Sequence, residues 1–254
     1  MEERIDEIQE LYDKCDNIAT ISNALFIINI LLSFILLFSF KYREIIVIFS
    51  LILTIIYVTL VNINEMYFSN VAENERRKSL LKESFNINTT IKETNKYYNN
   101  SENPSINKLG LNCYESLFFT KKIVDKMIPT EILKTCFLLI IYIILMIKIE
   151  NLDVLLIITQ TLFSAEIIFS FIKLIYYKIQ LDKIDKEFEN IFFVAGLNSK
   201  KSKTFIIDTT MDYECLKSYC KISISSKLFR KYNIQWSKEW DELYQKIKKY
   251  NSQK

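Results

Sequence analysis

Two uncharged runs constrain this chain more than any other feature. Asn17 to Phe40, with the core SNALFIINILLSFILLFSF, carries no Asp, Glu, Lys or Arg, and neither does Ile45 to Asn64, IIVIFSLILTIIYVTLVNIN. A helix of about 20 apolar residues crosses ~30 Å of hydrocarbon. A backbone inside lipid must satisfy its own hydrogen bonds, so a helix is the form such a run takes. A very short turn beginning LysTyrArg at 41–43 separates the two runs. They predict a transmembrane hairpin. A cleaved signal peptide is not expected, because an acidic, charged stretch precedes the first run and Ala-x-Ala-type cleavage chemistry is missing.

A second, weaker pair lies further along. Thr135 to Ile147, TCFLLIIYIILMI, is flanked by Lys134 and Lys148, whose stems can snorkel to the two interfaces. The turn IENLD follows, and Val154 to Tyr177 is apolar but interrupted by Glu166 and Lys173. The alternative is a buried helical hairpin of a soluble domain. The symmetry with the first pair favours a second transmembrane hairpin.

Composition supports helices throughout. The 254 residues include 2 Gly and 2 Pro, far below the usual ~7% and ~5%. Few breakers and abundant Ile, Leu, Phe, Lys and Glu make long helices. The predicted fold is therefore an all-α membrane protein: two transmembrane helical hairpins with a cytoplasmic helical insert and a C-terminal helical tail. The expected divisions are a lead helix at 1–20, hairpin 1 at 21–64, the insert at 65–130, hairpin 2 at 131–177 and the tail at 178–254. Helix two is expected to run on through NVAENERRKSLLKESF and break near Asn86, and helix four to end at Gly196. The last helix is expected to start at Ser237 as its N-cap, with a stripe of Trp236, Trp240, Leu243, Tyr244 and Ile247 on one face.

Orientation follows from basic residues near the membrane. Ten lie between Arg76 and Lys126 and sixteen from Lys178 onward, whereas the hairpin turns hold only Lys41, Arg43 and Lys148. The insert, the tail and both termini are thus expected on the cytoplasmic side.

Several polar residues fall inside the apolar runs. Ser22, Asn29 and Ser33 share one face of helix one, and Thr159, Glu166, Ser170 and Lys173 one face of helix four. Such groups avoid lipid, so the stripes either line a pore or hydrogen-bond helices together. Glu166 is the strongest functional candidate among them, although Lys173 of a neighbouring subunit could satisfy it. Four helices cannot enclose a wide aqueous path alone, so conduction requires a homo-oligomer. A transporter is disfavoured, since no Gly- or Pro-broken helix pair is visible.

The insert, from Glu75 to Met127, reads ERRKSLLKESFNINTTIKETNKYYNNSENPSINKLGLNCYESLFFTKKIVDKM. On RRKSLLKESF, KYYNN, KLGLNCYESLFFTKKI and the tail segment SSKLFRKYNIQWSKEWDELY, the chain resembles the bacterial SMODS-associated four-transmembrane pore-forming effectors. The resemblance covers nearly the whole chain. It implies the output arm of a cyclic-oligonucleotide antiphage system, in which the effector binds a cyclic nucleotide and permeabilises the bacterial inner membrane in abortive infection. It implies no catalysis and no DNA or RNA partner.

The residues are compatible with that implication. A nucleotide messenger needs stacking rings, amide readers and cations for phosphate. Tyr97, Tyr98, Asn99, Asn100, Lys108, Lys121 and Lys122 are of those types, as are Arg76, Arg77 and Lys78. The plainer alternative is a folded loop for the first set and a positive-inside anchor for the arginines. A membrane-tethered scaffold without conductance remains the rival function. An enzyme is disfavoured. The chain has no His, no metal-spaced cluster, no P-loop and no GxSxG, and Asp208, Asp212 and Glu214 form only a loose acidic group. The five scattered cysteines read as free thiols, and no cofactor or metal is expected.

Overall fold

The structure, a computed structural model, describes residues 5–35, 43–95, 97–98, 100–148, 167–197 and 199–252. Among the described residues, the regular structure is helical except for one two-residue antiparallel ladder, in which β1 (Ile5–Asp6) pairs with β2 (Thr94–Asn95). The helices are α1 (Gln9–Ile35), α2 (Arg43–Ile63), α3 (Ser69–Phe85), α4 (Ile106–Lys148), α5 (Ile167–Glu189), α6 (Lys200–Cys220) and α7 (Ser226–Ser252). Two π-helical stretches, Asn64–Phe68 and Asn190–Ala195, follow α2 and α5. Three helical stretches, Gln9–Ser33, Glu44–Phe85 and Ile106–Ile144, are long and apolar enough to cross a membrane. Of the expected fourth span, 154–166 lie outside the described residues, and the rest is helical in α5.

The chain divides into two compact units, one of residues 12–69 and 129–172, the other of 1–11, 70–128 and 173–254. In the first, α1 and α2 bury a narrow polar seam. Ser22, Asn29 and Ser33 of α1 and Ser50 of α2 are buried, while Ile27, Leu31, Ile48, Ile52 and Ile55 are exposed. Phe26 meets Tyr57 at 5.9 Å between ring centroids, and the Asn64 amide donates to the Cys15 carbonyl at 3.1 Å.

The second unit has a conventional core. α5 contributes Leu174, Tyr177, Leu181, Ile184 and Phe188, a spacing of three and four residues that marks one helix face. α4 adds Leu111, Tyr114 and Leu117, α6 adds Ile206, Tyr213 and Leu216, and α7 adds Trp240, Tyr244 and Ile247. Rings dominate the centre: Tyr114 stacks on Phe188 at 5.2 Å and on Phe192 at 5.5 Å, and meets Trp240 edge-on at 5.6 Å. The expected stripe of the last helix is the face that packs here, with Trp236 buried as well.

Local signals end the helices. α3 stops at Phe85, and Asn86 takes the left-handed conformation with φ 55, which Asn tolerates better than most residues. Gly196, with φ 77, ends the π-helical stretch after α5, and its N–H reaches the Ile191 carbonyl at 3.0 Å. The last helix departs from expectation. It begins at Ser226, capped by Ser225, whose Oγ accepts from Leu228 N–H at 3.3 Å. Ser237 lies inside the helix and donates to Asn233 Oδ1 instead. Ser225 follows a short non-helical segment at 221–225, whose Lys221 takes the left-handed conformation, so the break after Cys220 supplies a start that the pattern around Ser237 only imitates.

Gly110 marks the tightest approach between α4 and α6. A Cβ there would lie 2.8 Å from Ile206 Cγ2, and Ile206 is fully buried. Overpacking typically costs ~1–3 kcal/mol, and the better helix propensity of Ala offsets ~1 kcal/mol. Gly110→Ala should therefore destabilise this unit by about 1 kcal/mol in a denaturant titration, although the same change in an open helix stabilises.

Candidate functional site

α3, the loop after it and the first half of α4 enclose a polar cluster. Arg76 is its centre. It projects from α3, is nearly buried, and donates from Nη2 to Asp6 Oδ2 at 3.0 Å. Its guanidinium lies over the Tyr97 ring, 4.0 Å from the centroid. Tyr97 in turn meets Tyr98 edge-on at 4.8 Å. Tyr98 is buried against Leu80 and Leu109, and its hydroxyl accepts from Ser116 at 3.4 Å.

A chain of amides and hydroxyls backs these rings. Asn100 donates to Asn112 Oδ1, Asn112 donates to Ser84 Oγ at 3.0 Å, and Ser84 donates to the Leu80 carbonyl at 2.6 Å. Ser105 N–H reaches the Ser84 carbonyl at 3.1 Å, and Ser105 Oγ caps α4 by accepting from Lys108 N–H at 3.2 Å. On the other side, Ser79 and Thr94 share a hydrogen bond of 2.9 Å, and burial pushes the Glu83 carboxyl beside Thr94 above its ordinary value.

Of the residues singled out by sequence, Arg76, Tyr97, Tyr98, Asn100 and Lys108 belong to this region. The Lys108 ammonium makes no ion pair among the described residues, whereas Arg77 is exposed and donates to Asn74. Asn99 lies outside the described residues. Lys121 and Lys122 sit elsewhere, each in an ion pair. Lys121 binds Asp185 at 2.5 Å and Asp182 at 3.0 Å on α5, and Lys122 binds Glu239 at 2.6 Å on α7. Burial pushes the Asp182 carboxyl up, but hydrogen bonds from Lys178 and Lys121 outweigh it and hold it below its ordinary value. The hydrogen bond from Lys122 likewise lowers Glu239. These lysines tie α4 to its neighbours.

Residues that sequence reasoning left out complete the cluster: Asp6, Ser79, Glu83, Ser84 and Thr94. Asn112 carried a usable signal, a lone amide within the run Leu109–Tyr114, LGLNCY. Asp6 carried none, since its partner lies seventy residues away.

Two cluster and core tyrosines make the fold alkali-sensitive. Burial pushes the hydroxyls of Tyr98 and Tyr213 well above the ordinary value of 10.0. Tyr213 also shares a 2.9 Å hydrogen bond with Thr120. Above pH 10 the unfolded chain loses these protons while the folded chain keeps them, so stability falls as pH rises. A flat denaturation midpoint up to about pH 9 and a decline beyond pH 10 is expected, with a shallower decline in Tyr213→Phe.

In the membrane-length unit, the stripe of helix one has partners. Asn29 donates to Thr54 Oγ1 at 2.6 Å and accepts from Ser50 Oγ at 2.5 Å on α2. Ser22 and Ser33 donate to the Ile18 and Asn29 carbonyls of their own helix at 2.9 Å. The Ser22 and Ser33 bonds stay within α1, whereas those of Asn29 join it to α2. Such bonds average ~0.6 kcal/mol and reach ~1.7, so Asn29→Leu should weaken the α1–α2 pair by about 1 kcal/mol in detergent unfolding. In helix four, Thr159 and Glu166 lie outside the described residues, Ser170 is exposed and Lys173 is half-buried.

Among the described residues no group of Cys, Asp and Glu is arranged to hold a metal ion. The cysteines are free, with Cys15, Cys113 and Cys220 buried and Cys136 and Cys215 exposed. The fold thus defines a helical protein with, among the described residues, three helical stretches long and apolar enough to span a membrane. Comparison with protein-family models, curated proteins and solved structures gave no match.

Proposed function

We propose that this chain is a ligand-gated membrane effector of bacterial antiphage defence, which binds a cyclic nucleotide at the Arg76–Tyr97–Asn112 cluster and acts by oligomeric permeabilisation of the inner membrane. One observation carries the reading. The cluster is built on α3 and α4, and both belong to helical stretches long and apolar enough to cross a membrane, Glu44–Phe85 and Ile106–Ile144. A ligand that reorganises Arg76 or Asn112 therefore acts on helices that enter the bilayer. The resemblance of the insert and tail to the four-transmembrane effectors points the same way.

The topology proposed with it is two hairpins with both termini cytoplasmic. The antiparallel order of the α1–α2 contacts, Cys15 with Asn64 and Asn29 with Ser50 and Thr54, supports the first hairpin. In a Cys136→Ser background, Cys215 should react with a membrane-impermeant maleimide in inside-out vesicles and not in intact spheroplasts. The opposite pattern overturns the orientation.

The functional test is dye release. Folded protein in liposomes should release dye with one member of a panel of cyclic di- and trinucleotides. Arg76→Gln should abolish that release. Silence with the whole panel overturns the proposal. A second reading, a membrane-tethered scaffold without conductance, draws on the Asn29 network, which leaves the helix-one stripe engaged in packing. It predicts no leakage and a stable cytoplasmic partner.

A further inference from the structure

We infer that Asp6 is an internal competitor for the anion site at Arg76, and that the segment bearing it is a latch which an anionic ligand must release. The inference rests on the reading of Arg76 as an anion-binding group. A nucleotide phosphate and the Asp6 carboxylate are the same kind of partner for a guanidinium, and only one of them can hold the same Nη2.

The geometry makes the present pairing replaceable. Asp6 meets Arg76 through one oxygen, Oδ2, at 3.0 Å, while its other oxygen, Oδ1, is buried without a hydrogen-bond partner. Arginine binds carboxylate and phosphate best through two parallel hydrogen bonds. A phosphate that offers two oxygens therefore improves on a carboxylate that offers one and strands the other. The pair is also well shielded, with side-chain exposures of 9% for Arg76 and 14% for Asp6, so the exchange is not simply screened by water.

Beyond that ion pair, the latch is held by a short ladder, the Glu7–Glu93 hydrogen bonds and Ile8. Asp6 sits in the two-residue ladder, opposite Thr94. Beyond it, Glu7 N–H donates to the Glu93 carbonyl at 3.2 Å, and Glu93 N–H donates to the Glu7 carboxylate at 2.9 Å. A ladder this short is marginal by itself. Ile8, fully buried, follows, and α1 begins at Gln9. Loss of the Asp6–Arg76 bond thus loosens β1 directly ahead of a membrane-length helix. Because one group serves both states, ligand affinity is reduced by the fraction of molecules in which the latch is closed.

The experiment uses the full chain in nanodiscs, with inorganic pyrophosphate as the anionic probe and hydrogen exchange at 5–8 and 93–95 as the reporter of the latch. In the wild type, pyrophosphate should speed exchange at these amides. Asp6→Asn keeps the shape and backbone but removes the charge. It should raise exchange there about tenfold without probe and bind pyrophosphate about tenfold more tightly. Arg76→Gln should exchange as fast as Asp6→Asn yet bind no pyrophosphate. Asp6→Ser serves as the second variant if Asp6→Asn folds poorly.

The outcomes separate the two ideas. Unchanged exchange in Asp6→Asn and Asp6→Ser overturns the latch, while pyrophosphate binding that depends on Arg76 leaves the site reading standing. Faster exchange with unchanged pyrophosphate affinity overturns the competition. Absence of pyrophosphate binding in both wild type and Asp6→Asn overturns the site reading and the competition together.

Discussion

Trp240→Ala is expected to lower the stability of the unit formed by α3, α5–α7 and the first half of α4 by about 3–5 kcal/mol, the usual cost of removing a large buried ring. Trp240 is fully buried, edge-on to Tyr114 at 5.6 Å and tilted against Phe118 at the same distance. The cavity cannot collapse easily, because Tyr114 is itself packed against both Phe188 and Phe192, whose rings also meet each other at 5.9 Å. A loss of this size is a large part of the ~5–15 kcal/mol that holds an ordinary domain. Chemical denaturation should show the shift, and limited proteolysis should cut first in α7. Trp240→Phe should cost less than half as much. The Trp240 Nε1 is buried without a hydrogen-bond partner, so the smaller ring gives up volume but no bond. A Phe variant as unstable as Ala would show that the indole nitrogen has a role the packing does not account for.

Asn112→Leu is expected to cost about 2–3 kcal/mol and to disconnect the loop from α3. Asn112 is fully buried, and its amide joins Ser84 of α3 to Asn100 of the loop. A leucine of similar size leaves the half-buried Asn100 amide without its acceptor and removes the bond to Ser84, and each such hydrogen bond is worth ~0.5–1.5 kcal/mol. Ser84 suffers less, because it still donates to the Leu80 carbonyl. The effect should be visible as a lower unfolding midpoint and faster amide exchange at 100–105. Ligand-triggered dye release should fall with it. A variant that exchanges quickly and yet responds fully to ligand would remove Asn112 from the gating machinery and leave it a structural residue.

Much of this architecture was legible because helix formation is local. The uncharged run Ile45–Asn64 and the polar continuation to Phe85 read as one helix with a stop at Asn86, and α2, the π-helical stretch and α3 follow that course. Gly196 ends its helix as a glycine in that context should. The apolar stripe of the last helix was readable for the same reason, since hydrogen bonds from residue i to i−4 impose a period that side chains must obey. The start of that helix was misread at Ser237, because a serine before acidic residues imitates a cap wherever it falls.

Partner choice was not legible. Lys121 and Lys122 look alike in sequence beside Lys108, yet the first two are engaged with carboxylates 64 and 117 residues away and the third has no ion pair among the described residues. The sequence shows no partner for Asn29, which the structure places beside Ser50 and Thr54 of α2. Gly110 is required by Ile206, and Arg76 is held by Asp6, on elements far apart in the chain. The sequence by itself determined which segments are helices, which of them can enter a bilayer and where several of them stop. Only the tertiary structure decided which polar groups are partnered with which, because hydrogen bonds and ion pairs reach only a few ångströms and depend on which distant elements pack together.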